Sequence, residues 1–177
     1  TIPAFESYAF KLDTTAPTLA ASTTNDNGTV IDAGTSPYNN ETFVSVNTGV
    51  SITFSEEIDN STVTINTTDT TCSGSIQLSA DNFSSCVKLS SNMTISGDNV
   101  IINPNDNLSQ STTYKIKVTT QVTDLNSNSI ASDYIQTSGF TTWQKASNIL
   151  IRHPTIGSRS CNSSSSYGAG YNSAIYF

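Results

Sequence analysis

Alternating apolar and polar positions dominate the middle of the chain and predict half-buried β-strands. The alternation is clearest at 43–46, 50–54 and 114–118, where hydrophobic residues take every second position. No segment keeps a helical period, and Asn, Asp, Gly and Pro clusters separate the apolar runs about every ten residues. Further strands are predicted at 62–65, 75–78, 86–89, 93–95, 100–102 and 134–142. The pattern predicts an all-β, Greek-key β-sandwich of about seven to nine antiparallel strands.

Both ends of the chain carry apolar residues outside this region. The first residues place Ile2, Ala4, Tyr8, Phe10 and Leu12 on one parity, and the tail holds Tyr167, Tyr171, Ile175, Tyr176 and Phe177. We therefore expect strand-like extensions at both termini: an N-terminal arm over 1–15, a sandwich over 16–142 and a basic, aromatic extension over 143–177. The extensions either fold back onto their own sheets or add strands to a neighbouring molecule. In the second case the self-association candidates are Tyr8, Phe10, Leu12, Tyr171, Ile175 and Phe177.

Composition and charge narrow the class of partner. Only 12% of the 177 residues are charged, and nearly a third are serine or threonine, as is typical of extracellular β-proteins. Residues 16–142 hold twelve carboxylates against three lysines, whereas 143–177 hold three cations and no acid. The net charge of −7 repels polyanions, so nucleic acid is not expected as a partner. No aliphatic run approaches the ~20 residues of a membrane span.

The three cysteines fit an oxidising compartment. Cys72 and Cys86 are close enough in sequence for a local disulfide, and closing that loop would contribute roughly 2–3 kcal/mol. Cys161 is left over. The alternative is three reduced thiols. The chain begins at Thr1 with no leader, which we interpret as a secreted protein whose signal was removed, or as a fragment.

Several motifs in sequence order resemble the bacterial Ig-like domain of S-layer and other surface proteins. They lie at 13–18 (DTTAPT), 50–59 (VSITFSEEID), 108–114 (LSQSTTY), 118–120, 122–124 and 138–142 (SGFTT). The resemblance implies an extracellular or envelope-attached module with a spacer, adhesive or lattice role, and no catalytic residues to transfer. One departure is clear: an antibody-type domain places its cysteines on facing strands around a central Trp, whereas Trp143 follows the last predicted strand.

The residues available for chemistry argue against an enzyme. A nucleophilic hydrolase needs a histidine oriented by a second group, and His153, in the tail, is the one histidine. The cysteines lack a close pair that would indicate zinc. Glu56, Glu57 and Asp59 invite a glycosidase interpretation, but acids that follow a strand are ordinary solvated turn residues. We expect no cofactor, no hydrolysis and no effect of His153→Ala.

Calcium is the one metal that the sequence allows. Asp124, Asn126 and Asn128 match positions one, three and five of an EF-hand loop, but Ser129 and Ile135 replace its glycine and its bidentate glutamate, so no EF-hand forms. A looser site at Asp124 and Asn126, or at the turn containing Asp106, stays open beside the simpler explanation that Asx side chains make good turns.

These observations predict a non-catalytic, secreted or cell-surface structural or interaction module whose partners are itself or other envelope proteins. Three alternatives stay open. The chain is a subunit of an extracellular filament or lattice assembled by terminal strand exchange, an adhesin that binds a host protein or glycan, or an accessory domain of a larger enzyme.

Overall fold

The computed structural model describes residues 12–20, 23–24, 30–31 and 34–144, and these residues form an all-β fold. A 3₁₀ turn at Asn60–Thr62 is the only helical element in the described residues, and none of their helices is long and apolar enough to cross a membrane. The strands are β1 Thr23–Thr24, β2 Val30–Ile31, β3 Thr35–Ser36, β4 Val50–Thr53, β5 Ile76–Ser79, β6 Thr94–Ser96, β7 Asn99–Ile102, β8 Thr113–Val118, β9 Tyr134–Ile135 and β10 Phe140–Thr141.

One sheet has the antiparallel order β3-β4-β7-β6. Its central pair, β4 and β7, aligns Val50 with Ile102 and Ile52 with Val100, and all four side chains are fully buried. The positions between them point outward, because successive side chains of a strand face opposite sides of the sheet. The predicted alternation is thus present where one face of a sheet is buried.

The second sheet is built around β8, with β5 along one side and β9 and β10 along the other. Tyr114, Ile116 and Val118 are buried, and the Tyr114 and Phe140 rings stack with centroids 5.9 Å apart. The orders β3-β4-β7-β6 and β5-β8-β9/β10 are the two sheets of an immunoglobulin-type Greek-key sandwich. The predicted fold class is confirmed.

The chain crosses between the sheets after β3. Beyond the cis Ser36–Pro37 bond it runs beside β10, where Val44 forms a parallel bridge with Thr142. The side chain of Gln136, which is 1% exposed, stabilises this crossover through hydrogen bonds. Its Nε2 donates to Thr35 Oγ1 and to the Pro37 carbonyl, each at 3.0 Å, while its Oε1 accepts from the Ile116 N–H at 3.2 Å. Gln136 therefore joins both sheets.

Three predicted strands are not strands in the structure. At 43–46 only Val44 pairs, because Phe43 adopts a φ of 59° that interrupts extended backbone. At 62–65 side chains replace the ladder: the Thr64 N–H donates to Ser75 Oγ and the Ser75 N–H donates to Thr64 Oγ1. At 86–89 the backbone N–H groups bond to three separate partners, the carbonyls of Thr70, Leu78 and Asn66.

Two further differences concern strand boundaries. The predicted strand 134–142 is divided into β9 and β10, because Gln136 and a positive φ of 76° at Gly139 interrupt the extended conformation. The short strands β1, β2 and β3 were not predicted, since two residues are too few to show a period.

Candidate functional site

Cys72 and Cys86, the predicted pair, form a disulfide with a Cα–Cα distance of 4.9 Å. The Cys86 N–H also donates to the Thr70 carbonyl at 2.8 Å. The bond therefore anchors the segment 86–90 on the flank of the sandwich. This segment in turn supports a neighbouring loop, because the Asn105 N–H donates to the Lys88 carbonyl at 3.0 Å.

The loops form two opposite poles, which are separated by the length of β4. After β4, the Phe54 N–H donates to the Asp98 carbonyl and the Asp59 N–H donates to the Thr123 carbonyl. We call this end, which includes Asp13, Glu56, Asp98 and Asp124, the entry pole. Before β4, the Val46 carbonyl accepts from the Leu108 N–H. This end, which includes Asn47, 103–107 and Trp143, is the exit pole.

Three carboxylates meet at the entry pole. One oxygen each from Asp13, Glu56 and Asp124 lies within 4.8 Å of the others. The three residues come from an N-terminal segment, the end of β4 and a distant turn, and the Asn128 Nδ2 donates to the Asp13 carbonyl at 3.1 Å and so ties two of these segments together. Like charges at this spacing repel one another.

Asp124 is held in its charged form by its own turn. It is 2% exposed, and its carboxylate accepts hydrogen bonds from the N–H groups of Asn126 and Asn128 and from Asn128 Nδ2. Burial alone raises the pKa of Asp124, but these hydrogen bonds from Asn128 and Asn126 outweigh it, so the pKa is lowered. The pKa of Glu56 shifts in the opposite direction: burial raises it most, and the negative charges of Asp13 and Asp124 raise it further.

The calcium prediction is only partly matched by this geometry. Asp124 lies in the cluster, whereas Asn126 contributes a backbone N–H to its turn, and Asp106 is at the exit pole. Three carboxylate oxygens are half or fewer of the six to eight ligands that calcium takes. These side chains fit one face of a calcium site, and calcium binding stays a prediction.

The exit pole contains an open polar cleft of about 400 Å³. Its lining residues are Asn47, Asn103, Pro104, Asn105, Asp106 and Asn107. The Ser90 N–H donates to the Asn103 carbonyl at 2.8 Å, so the loop is fixed by its backbone. A Cβ on Gly49 would lie 2.6 Å from Asn103 Oδ1, so a larger residue at position 49 would require the Asn103 side chain to shift.

The other predicted residues divide between exposed positions and undescribed ones. Leu12 is 74% exposed. The self-association candidates Tyr8, Phe10, Tyr171, Ile175 and Phe177 lie outside the described residues, as do His153 and Cys161. The division of the chain at residues 15 and 142 stays a prediction.

Sequence reasoning missed two features of the poles. The meeting of Asp13 and Glu56 with Asp124 joins residues far apart in the chain, and the sole local signal was the Asx-rich turn at 124–128. The amide cleft was missed because its asparagines were interpreted as turn formers. Their density around 103–107 was the available signal.

Comparison with known proteins defines the class. Residues 26–142 match the family described as the bacterial Ig-like domain, and the chain belongs to this family. Among solved structures it is similar to the N-terminal part of the bacterial S-layer protein SbsC, with a TM-score of 0.40 and 14% identity over 58% of this chain and 22% of that one. It is also similar to the S-layer protein rSbsC(31-844), with a TM-score of 0.40 and 14% identity over 60% of this chain and 14% of that one. The chain thus spans under a quarter of either S-layer chain, and no curated protein matches it.

Proposed function

We propose that the chain is a non-catalytic structural or interaction module of a bacterial cell surface. Membership of the bacterial Ig-like family supports this proposal. The main observation in support of this proposal is that the two ends of the described sandwich lie at opposite poles. Asp13 is at the entry pole, and Trp143 is at the exit pole. A domain whose chain enters at one pole and leaves at the other can link neighbouring units in series, as a spacer or lattice module must.

Surface display is tested by labelling intact cells that produce the chain with an antibody raised against the folded sandwich. We expect equal labelling of intact and permeabilised cells, with a cytoplasmic protein labelled only after permeabilisation. Labelling of the chain that requires permeabilisation would contradict the proposed location.

A second, finer proposal is head-to-tail self-association. The entry pole supplies the Asp13–Glu56–Asp124 cluster, and residues 143–177 contain Lys145, Arg152 and Arg159 without an acid. Complementary charge brings such surfaces together and fixes their orientation. Leu12, at the same pole, continues the parity of the apolar N-terminal stripe and is 74% exposed, so this stripe is a candidate for strand addition to a second copy.

Deletion of residues 1–12 separates association from folding back onto the same subunit. If the arm serves a neighbour, the truncated chain keeps its melting temperature and loses its large species in size-exclusion chromatography with light scattering. If the arm folds back, the truncated monomer melts at a lower temperature, and this outcome counts against strand exchange.

A further inference from the structure

The cleft at the exit pole combines amide side chains with a backbone that is fixed at several points. Asn103 is bonded through its carbonyl to the Ser90 N–H, and Asn105 through its N–H to the Lys88 carbonyl. Pro104 forms a bridge with Leu89. The side chains that line the cleft are therefore presented from a preorganised loop, which lowers the entropic cost of binding a ligand.

The amides keep unused hydrogen-bonding capacity. A carboxamide has two donor hydrogens and an acceptor oxygen. Asn47 uses its oxygen to accept from Ser45 Oγ, and Asn105 uses its amino group to donate to Asp106 Oδ2 at 3.0 Å. Asn107 makes no side-chain hydrogen bond within the described part of the chain. The cleft therefore offers donors and acceptors side by side.

The charges of the lining decide the chemical class of ligand. It contains no lysine or arginine, so a phosphate or sulfate finds no counterion there. It contains one carboxylate, Asp106, too few for the charged oxygen ligands that a calcium ion usually takes. Neutral hydroxyl groups, which both donate and accept, match an amide and carboxylate lining.

Exposed aromatic residues lie at the same pole. Phe43 is 85% exposed with a φ of 59°, an uncommon conformation for a bulky residue, and Trp143 is 38% exposed. The two are linked through Val44, whose carbonyl accepts from the Trp143 N–H at 2.9 Å. Asn47 follows Phe43 by four positions, a distance of at most about 14 Å even for fully extended chain. Aromatic rings pack against the apolar C–H face of a sugar while amides bond its hydroxyls.

We propose that the exit pole binds a neutral oligosaccharide, with the hydroxyl groups in the amide cleft and a sugar face against Phe43 or Trp143. This proposal rests on the proposed function, because it specifies a ligand for the interaction module. It does not require self-association, because the acidic cluster belongs to the opposite pole.

The test uses nuclear magnetic resonance of the ¹⁵N-labelled full chain, titrated separately with chitotetraose, cellotetraose and mannotetraose. We expect at least one sugar to shift the backbone amide signals of Asn103 and of 105–107, with a dissociation constant near the millimolar range. Asn105→Ala and Asn107→Ala should each weaken that binding about tenfold. Asn60→Ala, an exposed asparagine at the entry pole, should leave it unchanged and serves as the matched control.

Three outcomes would contradict the proposed sugar site. Absence of shifts with all three sugars up to about 10 mM, tenfold above a millimolar constant, would overturn the proposal, as would shifts confined to the entry pole. Equal weakening by Asn60→Ala would also count against it. Each result is independent of where the chain is displayed, so it separates failure of the sugar site from failure of the proposed function.

Discussion

The two poles of the sandwich are both made of loops rich in Asx residues, yet they use these side chains differently. At the entry pole the side chains turn inward: Asp59 caps the 3₁₀ turn at Asn60–Thr62, and Asp124 closes its own turn. At the exit pole three asparagine side chains line the cleft and keep hydrogen-bonding capacity: that of Asn107, the amino group of Asn47 and the oxygen of Asn105. Asx side chains thus make the caps and turns of the entry pole and keep hydrogen-bonding capacity at the exit pole.

The largest expected effect is a difference in stability between alanine substitutions at two glycines, one near the exit pole and one at the entry pole. A Cβ on Gly139 would clash with the Tyr114 carbonyl oxygen, whereas a Cβ on Gly97 meets nothing within 4 Å. Both glycines have positive φ, 76° and 62°. We expect Gly139→Ala to lower the free energy of unfolding by at least about 3 kcal/mol, and Gly97→Ala by only about 1–2 kcal/mol. Urea denaturation measures both, and equal losses would contradict the steric explanation.

Removal of the disulfide should loosen the exit pole more than the entry pole. The double substitution Cys72→Ser and Cys86→Ser is expected to cost about 2–3 kcal/mol. Because segment 86–90 holds the loop containing Asn105, hydrogen exchange should accelerate at 103–107 and change little at 123–128. A uniform acceleration at both poles would show that the bond stabilises the whole domain and does not anchor the cleft.

A smaller effect, with the opposite sign, is expected from Glu56→Gln. The pKa of Glu56 is raised above its ordinary value of 4.5 by burial and by Asp13 and Asp124. The folded state therefore holds this proton more tightly, and the wild type loses stability as pH rises through the raised pKa. In EDTA at neutral pH, Glu56→Gln should melt at a higher temperature than the wild type, and the difference should disappear below pH 4.5.

Glu57→Gln is the matched control, because the Glu57 carboxylate is not part of the cluster. Its melting temperature should stay that of the wild type. Excess calcium adds a test of the metal prediction: if the cluster binds calcium, the advantage of Glu56→Gln reverses, because the amide supplies no charge to the ion. An unchanged advantage in calcium would count against a metal at this pole.

The smallest effect concerns Asp81, a carboxylate that belongs to neither pole and so serves as a reference for the carboxylates of the poles. Hydrogen bonds from the Ser85 hydroxyl and the Ser85 N–H, then from Ser79, lower the pKa of Asp81 from 3.8 to about 2. This group stabilises the fold above its ordinary pKa, and that contribution is lost as pH falls through about 2. Carboxyl ¹³C titration should give this pKa and a higher one in Ser85→Ala. A wild-type pKa near 3.8 would contradict the hydrogen-bonded turn.

The sequence predicted the sheets better than the segments that connect them. β8 and the hairpin of β6 and β7 follow local rules, namely alternation and a two-residue turn at Gly97-Asp98. The crossover after β3 depends on Gln136, which bonds residues about a hundred positions away, and no local pattern reveals such a partner.

The candidate sites were predictable only where the chemistry is local. The pairing of Cys72 with Cys86 follows from their short separation. The carboxylate cluster required three separate segments to meet, and Asp106, grouped with Asp124 as an alternative calcium ligand, lies at the other pole. Burial of Asp124 also could not be predicted, because the turn contacts distant segments of the chain: Asp124 forms a bridge with Ile58, and Asn128 Nδ2 donates to the Asp13 carbonyl.

The most direct test of the difference between the poles is sedimentation velocity of the full chain at low and high salt. The account predicts larger species at about 0.01 M salt, where charges act over about 30 Å, and monomers at 1 M, where they act over about 3 Å. Lys145→Glu with Arg152→Glu and Arg159→Glu should abolish association at low salt. A chain that stays strictly monomeric at high concentration and low salt would contradict the proposal that the acidic entry pole is an association surface.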